Sequence, residues 1–537
     1  MVAARYLPDA EAAIGTLIAD SFRRPGGITG AGSFDSWLAE CSQRLLMRVE
    51  PQPLAELAGW LTDPASGDLA HHTGGFFRVE GIAVHVPGAT IEHWQQPIIS
   101  QPEVGILGLL VKEFDGVLHC LLQAKAEPGN CNGLQLSPTV QATRSNYTGL
   151  HLGRSVPYLE YFRDLARHRV VADVRQSEQG AWFRHKRNRN MIVQTTDEVE
   201  PHPDFCWLTL GQVHALLRLD HLINMDTRTV LACLPIAGID PDPGPSLAGL
   251  PVLGLDPDPP LAGLPAVGTD ADPLPGRPWS PEAIVRSCQP RHGSRHSMTE
   301  ILSWITGART RHQVEAVPIP LRSVLGWRHV DGRISHERGL FFDVVGVRVE
   351  AVGREVQRWQ QPMIAPHGTG LAAALVRQID GVLHVLMHAR VEPGYLDVLE
   401  LAPSVQCNPE TYDSLPPEAR PPFLDEVLTA HPSRLLFDTV LSEEGGRFMH
   451  ARTRYAVVTT DLEVPPALYP DHRWFTLHQL SALVQHSHYL NVQARSILAC
   501  LHSLVVGRSW PAEPVTAGPP EVAREHPDRH CGEGVRP

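Results

Sequence analysis

The alternation of apolar and polar positions predicts two β-hairpins in the first half of the chain. In residues 108–124, "GLLVKEFDGVLHCLLQA", two apolar-rich runs flank Asp115-Gly116, a dipeptide that favours the positive φ angles of a tight turn. Residues 170–195, "VVADVRQSEQGAWFRHKRNRNMIVQT", have the same character and predict a second hairpin.

Helical patterns precede and follow these strands. Residues 35–46, "DSWLAECSQRLL", carry apolar residues at helical spacing behind Asp35, which we expect to be the N-cap. Thr209 and Gln212 have the spacing of a capping box that opens a helix, and Thr476 and Gln479 repeat it. The order of elements predicts an α/β (α+β) fold, in which each mixed or antiparallel sheet is flanked by helices.

The pattern is written twice. Residues 74–147 align without a gap onto residues 339–412, so that "HWQQPII" meets "RWQQPMI" and "FDGVLHCLL" meets "IDGVLHVLM". Farther upstream, Trp37 and Trp60 meet Trp304 and Trp327 at equal spacing. Each unit covers about 200 residues, far more than a solenoid repeat, and this indicates the tandem duplication of a whole domain.

A segment rich in Pro, Gly and Asp separates the two units. It runs through "PIAGIDPDPGPSLAGLPVLGLDPDPPLAGLP" and has no periodic apolar face, which is typical of an extended linker. We therefore expect a first module at residues 1–235, a linker at 236–290, a second module at 291–507 and a disordered tail at 508–537.

Composition narrows the class of protein. A chain of 537 residues that is 43% apolar can build several globular cores, and a net charge of -13 argues against a nucleic-acid surface. The sequence has no apolar run long enough to span a membrane and no amino-terminal signal pattern. The nine cysteines are scattered, which fits a reduced, cytoplasmic protein.

Polar residues that recur in both units are the first candidates for a binding site. They are Glu127, Gln141 and Tyr147 with Glu392, Gln406 and Tyr412, and Trp94, Gln95 and Gln96 with Trp359, Gln360 and Gln361. Side chains alternate along a strand, so Lys125 and Glu127 should share one face. Lys125 is one of only three lysines in the chain. It can serve chemistry or be a charged strand end, and Glu127 can be its buried partner.

A second candidate feature is basic. Alternation places Arg187 beside Arg189, and Arg452 beside Arg454, on one strand face in each unit. Guanidinium groups bind phosphate oxygens bidentately, so each pair could hold a diphosphate. The alternative is a solvated basic strand face.

Some polar positions differ between the units. The first unit has Lys125, Asn130, Asn132, Gln135, Arg144 and Asn146, where the second has Arg390, Tyr395, Asp397, Glu400, Pro409 and Thr411. Two pockets of similar shape would thus carry different linings. A duplicated enzyme commonly keeps one chemical site and lets the other drift, and the richer polar lining of the first unit leads us to expect the chemical site there.

General catalytic signatures are missing from the sequence. It contains no G-x-S-x-G, no H-E-x-x-H, no P-loop and no G-x-G-x-x-G after a strand. The 28 histidines have no ligand spacing, and we expect no metal site.

The repeated words resemble those of the NDP-hexose 2,3-dehydratase family. They include "WQQPII", "QAKAEPGNCNGLQLSPTVQATRSNY", "SEQGAWFRHKRNRNM" and "EPGYLDVLELAPSVQ", and the resemblance covers both units. It implies two Nudix-like modules in a homodimer that acts in the cytoplasm on dTDP-4-keto-6-deoxyglucose, with no cofactor and no required metal. The sequence departs from the family at Arg390 and Tyr395, where Lys and Asn are expected.

The resemblance also implies a reaction. Water would leave carbons 2 and 3 of the sugar, and a 3-ketoreductase of deoxysugar and antibiotic biosynthesis would then reduce the diketone. Lys125 would face the oxyanion, and Glu127 or Tyr147 would exchange the protons. Two rival interpretations are a non-catalytic nucleotide-sugar binding protein and a Nudix-type diphosphate hydrolase. The hydrolase is disfavoured because the sequence lacks a helix with the R-E-x-x-E-E motif.

Overall fold

The computed structural model describes residues 8–24, 26, 31–143, 156–236, 280–354, 356–412 and 414–505. Long runs of strands are flanked by helices in this part of the chain, and the strands form four sheets. The predicted α/β class is confirmed.

The strands of the first half are numbered in chain order. They are β1 Met47–Gln52, β2 Trp60–Thr62, β3 Leu69–His71, β4 Arg78–His85, β5 His93–Ser100, β6 Gly105–Phe114, β7 Val117–Ala126, β8 Leu134–Ser137, β9 Val140–Ala142, β10 Arg169–Ser177, β11 Phe183–Arg184, β12 Arg187–Thr195 and β13 Phe205–Thr209. The α-helices of this half are Pro8–Arg23, Ala31–Arg44, Glu160–Arg163, Leu210–Leu216 and Met225–Leu231.

The second half follows a closely similar sequence of elements, without a strand equivalent to β11. Its strands are β14 Glu315–Ile319, β15 Trp327–Val330, β16 Arg333–His336, β17 Phe342–Ala351, β18 Arg358–Pro366, β19 Gly370–Ile379, β20 Val382–Arg390, β21 Glu400–Pro403, β22 Val405–Cys407, β23 Leu435–Ser442, β24 Arg452–Thr459 and β25 His472–Phe475. Its α-helices are Pro281–Ser287, Met298–Arg311, Pro409–Tyr412, Leu424–Leu428, Leu477–Val484 and Val492–Ser503.

Each half builds one seven-stranded sheet, and the two sheets have the same strand order. The first runs β10-β12-β6-β7-β13, with β8 on β7 and β9 on β6. The second runs β23-β24-β19-β20-β25, with β21 on β20 and β22 on β19. In both sheets the pair at the centre is parallel, β12 with β6 and β24 with β19. The sequence repeat is therefore also a repeat of sheet topology.

Local sequence signals predict several of these elements correctly. The hairpin of β6 and β7 is confirmed, with φ of 49° at Asp115 and 79° at Gly116. Strands β10 and β12 pair antiparallel as predicted, although β11 between them joins another sheet. Both capping boxes are present, at Thr209 and at Thr476. The prediction of Asp35 as an N-cap is wrong, because the helix already begins at Ala31.

The two smaller sheets exchange strands between the halves. Strand β1 of the first half pairs with β17 of the second, and β14 of the second half pairs with β4 of the first. Residues 1–507 accordingly group into one compact unit rather than two. The expected modules are thus tied together by main-chain hydrogen bonds that no local pattern announces.

Two buried arginines join the halves at their centre. Arg228 donates from Nε to the Ser496 hydroxyl at 3.1 Å and from Nη2 to the carbonyl of Ser442 at 2.8 Å. Arg495 mirrors it, donating to the Thr229 hydroxyl and to the carbonyl of Ser177. Both side chains are fully buried, and their helices pack against each other. Each arginine therefore anchors its own helix to the end of a strand in the opposite half.

The boundary of the predicted linker needs correction. Helix Pro281–Ser287 lies inside the expected segment 236–290 and packs on the second large sheet, where the Ser287 hydroxyl donates to the carbonyl of Leu383 at 2.5 Å. The rest of that segment, 237–279, and the expected tail 508–537 lie outside the described residues. Among the helices that are described, none is long and apolar enough to cross a membrane.

Candidate active site

Each half has a polar site at the end of one strand, β7 in the first half and β20 in the second. Residues of the other half complete each site. Gly129 donates its amide to the carbonyl of Gly445 at 2.8 Å, and Gly394 donates to that of Gly180 at 2.7 Å. The loops that contain Gly445 and Gly180 follow β23 and β10, so a loop from one half lies over the site residues of the other. Each site is therefore composite, because residues of both halves contribute to it.

The first of these, which we call the Lys125 site, is organised by a chain of hydrogen bonds. The Nζ of Lys125 lies 3.9 Å from Oε1 of Glu127, which also accepts a 3.0 Å hydrogen bond from the amide of Gln141. The amide of Asn224 donates to Gln141 at 3.3 Å, while its oxygen caps helix Met225–Leu231. As the alternation of β7 predicts, Lys125 and Glu127 come together, and both are buried.

Further carboxyl groups converge on this site. Asp226 lies two residues beyond the cap Asn224, Glu178 follows β10, and Glu444 comes from the opposite half. The Oδ1 of Asp226 and the Oε2 atoms of Glu178 and Glu444 are buried with no hydrogen-bond partner in the described chain. A buried oxygen without a donor destabilises the ionised form of its carboxyl.

The pKa values follow from this crowding. Burial, reinforced by the carboxyls of Glu178 and Glu444, raises the pKa of Asp226 well above its usual range. Burial and the neighbouring Glu127 raise the pKa of Glu444 to about 7. Burial lowers the pKa of Lys186 to about 8, although the carboxyl of Glu178 opposes that shift. Asp226 and Glu444 are therefore carboxyls of the Lys125 site whose surroundings favour the protonated form.

The other predicted members of the Lys125 site differ in position. Asn130 is buried and donates to the carbonyls of Lys125 and Gly133, at 3.3 and 3.1 Å. Gln135 is buried, whereas Asn132 is exposed and donates to the carbonyl of His221 at 3.2 Å. The remaining three, Arg144, Asn146 and Tyr147, lie outside the described residues.

The second site opens into a cavity of about 990 Å³, which we call the Arg390 cavity. Arg390 donates to Oε1 of Glu392 at 2.8 Å, and Gln406 donates to the same oxygen at 3.0 Å. Asn491 donates to Gln406 at 2.8 Å and to the hydroxyl of Tyr395 at 3.1 Å. The chain of hydrogen bonds from Glu127 to Asn224 is thus repeated with Arg390 in place of Lys125, and Tyr412 lines the same cavity.

The Trp-Gln-Gln motif of the first half lies in the site of the second half. Trp94, Gln95 and Gln96 all line the Arg390 cavity. Trp94 donates to Gln96 at 3.1 Å, and Gln96 donates to the carbonyl of Ala181 at 2.7 Å. Trp359 and Gln361 make the same contacts, the latter to the carbonyl of Gly446 at 2.6 Å. Gln95 and Gln360 accept from backbone amides of the other half, those of Leu325 and Ala58, at 2.8 and 2.7 Å.

The two arginine pairs are split by ion pairing. Arg189 makes a bidentate ion pair with Asp173, at 2.7 and 2.5 Å, and Arg454 makes one with Asp438, at 2.6 and 2.8 Å. Such a pair already occupies the fork that a phosphate would need. Arg452 is exposed on the lining of the Arg390 cavity. Burial and the nearby positive charge of Arg175 lower the pKa of Arg187. A diphosphate-binding role for Arg187 and Arg452 stays a prediction.

The two sites differ most at carboxyls that the sequence analysis did not single out. Where the Lys125 site has Asp226 and Glu444, the Arg390 cavity has Gln493 and Gln179. The residue equivalent to Glu178 in the second half is Glu443, whose carboxylate accepts hydrogen bonds from Tyr455 at 2.8 Å and from Gln179 at 3.0 Å. The signal was available in the repeat, since "SEQG" faces "SEEG" and "NMDTR" faces "NVQAR". None of these short segments indicates a site by itself, because only the fold buries their side chains together.

One group of candidate metal ligands is present among the described residues. His85, Glu92 and His93 place their ligand atoms within 4.8 Å of one another, although no spacing in the sequence suggested a cluster. The pairing of β4 with β5 brings the two histidine rings into a stack with centroids 4.1 Å apart. Two of the three are exposed.

Comparison with known proteins places both halves in one family. The sequence model of the NDP-hexose 2,3-dehydratase family matches residues 31–234 and again residues 298–501. A dTDP-4-dehydro-6-deoxy-alpha-D-glucopyranose 2,3-dehydratase of Saccharopolyspora spinosa is 47% identical over 479 residues, which are 89% of this chain and 92% of that protein.

Two further relatives carry the same name. The protein of Amycolatopsis orientalis is 45% identical over 87% of this chain and 89% of its own length. That of Streptomyces violaceoruber is 45% identical over 89% of this chain and 98% of its own length.

Proposed function

Because the chain belongs to the NDP-hexose 2,3-dehydratase family, we propose that it removes water from carbons 2 and 3 of dTDP-4-keto-6-deoxyglucose. The enzyme is a hydro-lyase, and its product is a dTDP-linked 3,4-diketo-2,6-dideoxy sugar. The observation that carries the proposal is the match of the family to both halves of the chain, together with relatives of the same name that align over nearly the whole chain.

The chemistry follows from the ketone at carbon 4. It acidifies the proton on carbon 3, and a base that takes this proton leaves an enolate. The hydroxyl on carbon 2 is β to the ketone and departs as water once an acid protonates it. The remaining enol tautomerises to the ketone at carbon 3. Carbon 3 is oxidised as carbon 2 is reduced, so the electrons balance within the sugar.

We assign the elimination to the Lys125 site. Glu127 is held by Gln141 on one side and faces the ammonium of Lys125 on the other, and we assign it as the base that takes the proton from carbon 3. The ammonium of Lys125 is buried, and there it can stabilise the enolate oxygen. Tyr147 is the alternative residue for proton exchange.

The Arg390 cavity is proposed as a second nucleotide-sugar site with a different role. Its 990 Å³ lies at the upper end of the range for small-molecule pockets. Trp182, Trp327 and Phe341 on its walls provide apolar faces for a base, and Arg452 provides a positive charge at its edge. Two sites per chain are therefore expected in equilibrium binding of a dTDP-sugar.

Some properties implied by the family stay proposals about the assembly. Two Nudix-like modules that arose by duplication would explain the identical strand order of the large sheets. A homodimer is tested by light scattering, and a cytoplasmic location by cell fractionation. The diketone product is consumed, on this proposal, by a 3-ketoreductase.

Mass spectrometry of the reaction mixture tests the function. Incubation with dTDP-4-keto-6-deoxyglucose should yield a nucleotide sugar that has lost one water. Release of dTMP would instead indicate a diphosphate hydrolase. Binding of the sugar without any change in its mass would indicate a binding protein, and either result would overturn the proposal.

A further inference from the structure

The proposed elimination needs a proton donor for the hydroxyl on carbon 2. Hydroxide leaves carbon poorly, and a positioned general acid contributes about 10²–10⁴-fold to such steps. Glu127 as the base and Lys125 over the enolate leave this role unfilled. The donor must lie in the Lys125 site and hold a proton at neutral pH.

We propose that Asp226 is this donor, and that Glu444 of the other half is a positioning residue that keeps the Asp226 carboxyl protonated. The assignment rests on the proposed function and names a further group of the same site. As the bond between carbon 2 and oxygen breaks, its electron pair leaves with the oxygen, which takes the proton of Asp226 and departs as water. One proton leaves carbon 3 for Glu127 and one leaves Asp226, so transfer from Glu127 to Asp226 resets the site.

The repeat locates both side chains. Gln493 and Gln179, the counterparts of Asp226 and Glu444, line the Arg390 cavity beside Glu392. The hydrogen bonds that place these counterparts recur, since Asn224 and Asn491 cap equivalent helices two residues before Asp226 and Gln493. Asp226 and Glu444 therefore face the corresponding space of the Lys125 site.

The surroundings of Asp226 favour its neutral form. Asp226 is only 4% exposed, and its Oδ1 has no hydrogen-bond partner among the described residues. The charged groups that act on it are the carboxyls of Glu178, Glu444 and Glu127 and the ammonium of Lys125, and the carboxyls raise its pKa together with burial. Glu127 differs from Asp226 in its contacts, because it accepts a hydrogen bond from an amide and faces an ammonium. A site that uses two carboxyls as acid and base commonly places them in different surroundings.

The loop that carries Glu444 contacts the Lys125 site from the other half of the chain. A Cβ on Gly446 would stand 3.7 Å from Oε1 of Glu127, so the loop that carries Glu444 lies directly on the site. The Oε1 of Glu444 accepts from the amide of Gly446 at 3.0 Å, which orients the carboxyl. The Arg390 cavity has amides at both equivalent positions, and an amide cannot deliver a proton to a leaving group.

A substrate with a better leaving group tests the assignment. Asp226→Asn should lower kcat about 10²–10⁴-fold on the natural substrate. On the analogue with fluorine in place of the hydroxyl on carbon 2, fluoride departs with little help, so the same variant should keep a rate within about tenfold of the wild type. Glu127→Gln, which removes the base, should lose both reactions. An Asp226→Asn enzyme that loses both reactions, or neither, would overturn the assignment.

The positioning role of Glu444 has its own readout. Burial and the carboxyls of Glu127 and Glu178 raise the pKa of Glu444 to about 7, while Arg447 opposes that shift. Above that pH Glu444→Gln removes a negative charge that raises the pKa of Asp226, so the basic limb of the pH profile of kcat should move to lower pH. A limb that stays in place would refute that role, and this profile decides alone if Asp226→Asn does not fold. A wild-type enzyme that forms no dehydrated product would refute the proposed function itself, which is a different result from either variant.

Discussion

Gly129 lies so close to Phe448 that a Cβ on the glycine would stand 1.7 Å from the carbonyl oxygen of Phe448. The same relationship joins Gly394 to Phe183, at 1.8 Å. Both glycines follow the strands that carry the site residues, and both amides donate across the boundary between the halves. Each of these glycines lies in a turn after its strand, and it is required because a backbone from the other half occupies the space of a side chain.

Replacing Gly129 should therefore destabilise the whole molecule. Gly129→Ala forces two backbones apart, and we expect the free energy of unfolding to fall by about 3 kcal/mol, at the upper end for overpacking. Gly307→Ala is the matched control, because its Cβ would have only Arg311 nearby, at 3.6 Å. Its helical position predicts a gain of about 1 kcal/mol. Urea unfolding of both variants measures the difference, and equal stabilities would contradict the close contact.

Neither half should fold alone. Strand β1 lacks its partner without β17, β14 lacks its partner without β4, and the buried Arg228 loses its acceptor at Ser442. We expect residues 1–236 and 280–537 to be unfolded when each is expressed alone and to assemble when they are produced together. Circular dichroism with urea titration reports this, and cooperative unfolding of either isolated half would refute it.

Lys125 and Arg390 should differ in their effect on turnover. Lys125→Ala removes the donor proposed for the enolate oxygen, and kcat should fall about 10²–10³-fold while dTDP binding changes little. Arg390→Ala should lower kcat much less, because the Arg390 cavity lacks the Asp226 and Glu444 carboxyls. Rates at saturating substrate decide between the sites. If Arg390→Ala is the inactive enzyme, the chemistry lies in the other half.

The stability of the enzyme should fall as the pH rises through the titration of Glu444. The folded protein binds the proton of Glu444 up to about pH 7, whereas a carboxyl in the unfolded chain releases it near the ordinary value of 4.5. The folded state therefore holds more protons than the unfolded state between these values, and stability declines across that window. Glu444→Gln should match the wild type at pH 4 and exceed it by about 1–3 kcal/mol at pH 8.

Thermal unfolding of the wild type and of Glu444→Gln from pH 4 to pH 8 measures this effect. The melting temperature of the variant should change less with pH than that of the wild type. Parallel curves over the whole range would show that Glu444 does not titrate in this window.

Several features of the protein were determined by the sequence alone. The turn at Asp115-Gly116, the capping boxes at Thr209 and Thr476, and the shared face of Lys125 and Glu127 depend on neighbours a few residues away. The repeat can also be found from the sequence alone, because it is a similarity between two segments of the chain. Local backbone energy and the two-residue period of a strand are enough to predict such features.

Other features were decided only by the tertiary structure. The pairing of β1 with β17, the ion pair of Arg189 with Asp173 and the contact of Gly129 with Phe448 join residues that no local pattern connects. Asp226 and Glu444 were not singled out in the sequence for the same reason. The cost of ionising a carboxyl depends on burial and on the distance to other charges, and both are set by which segments the folded chain brings together.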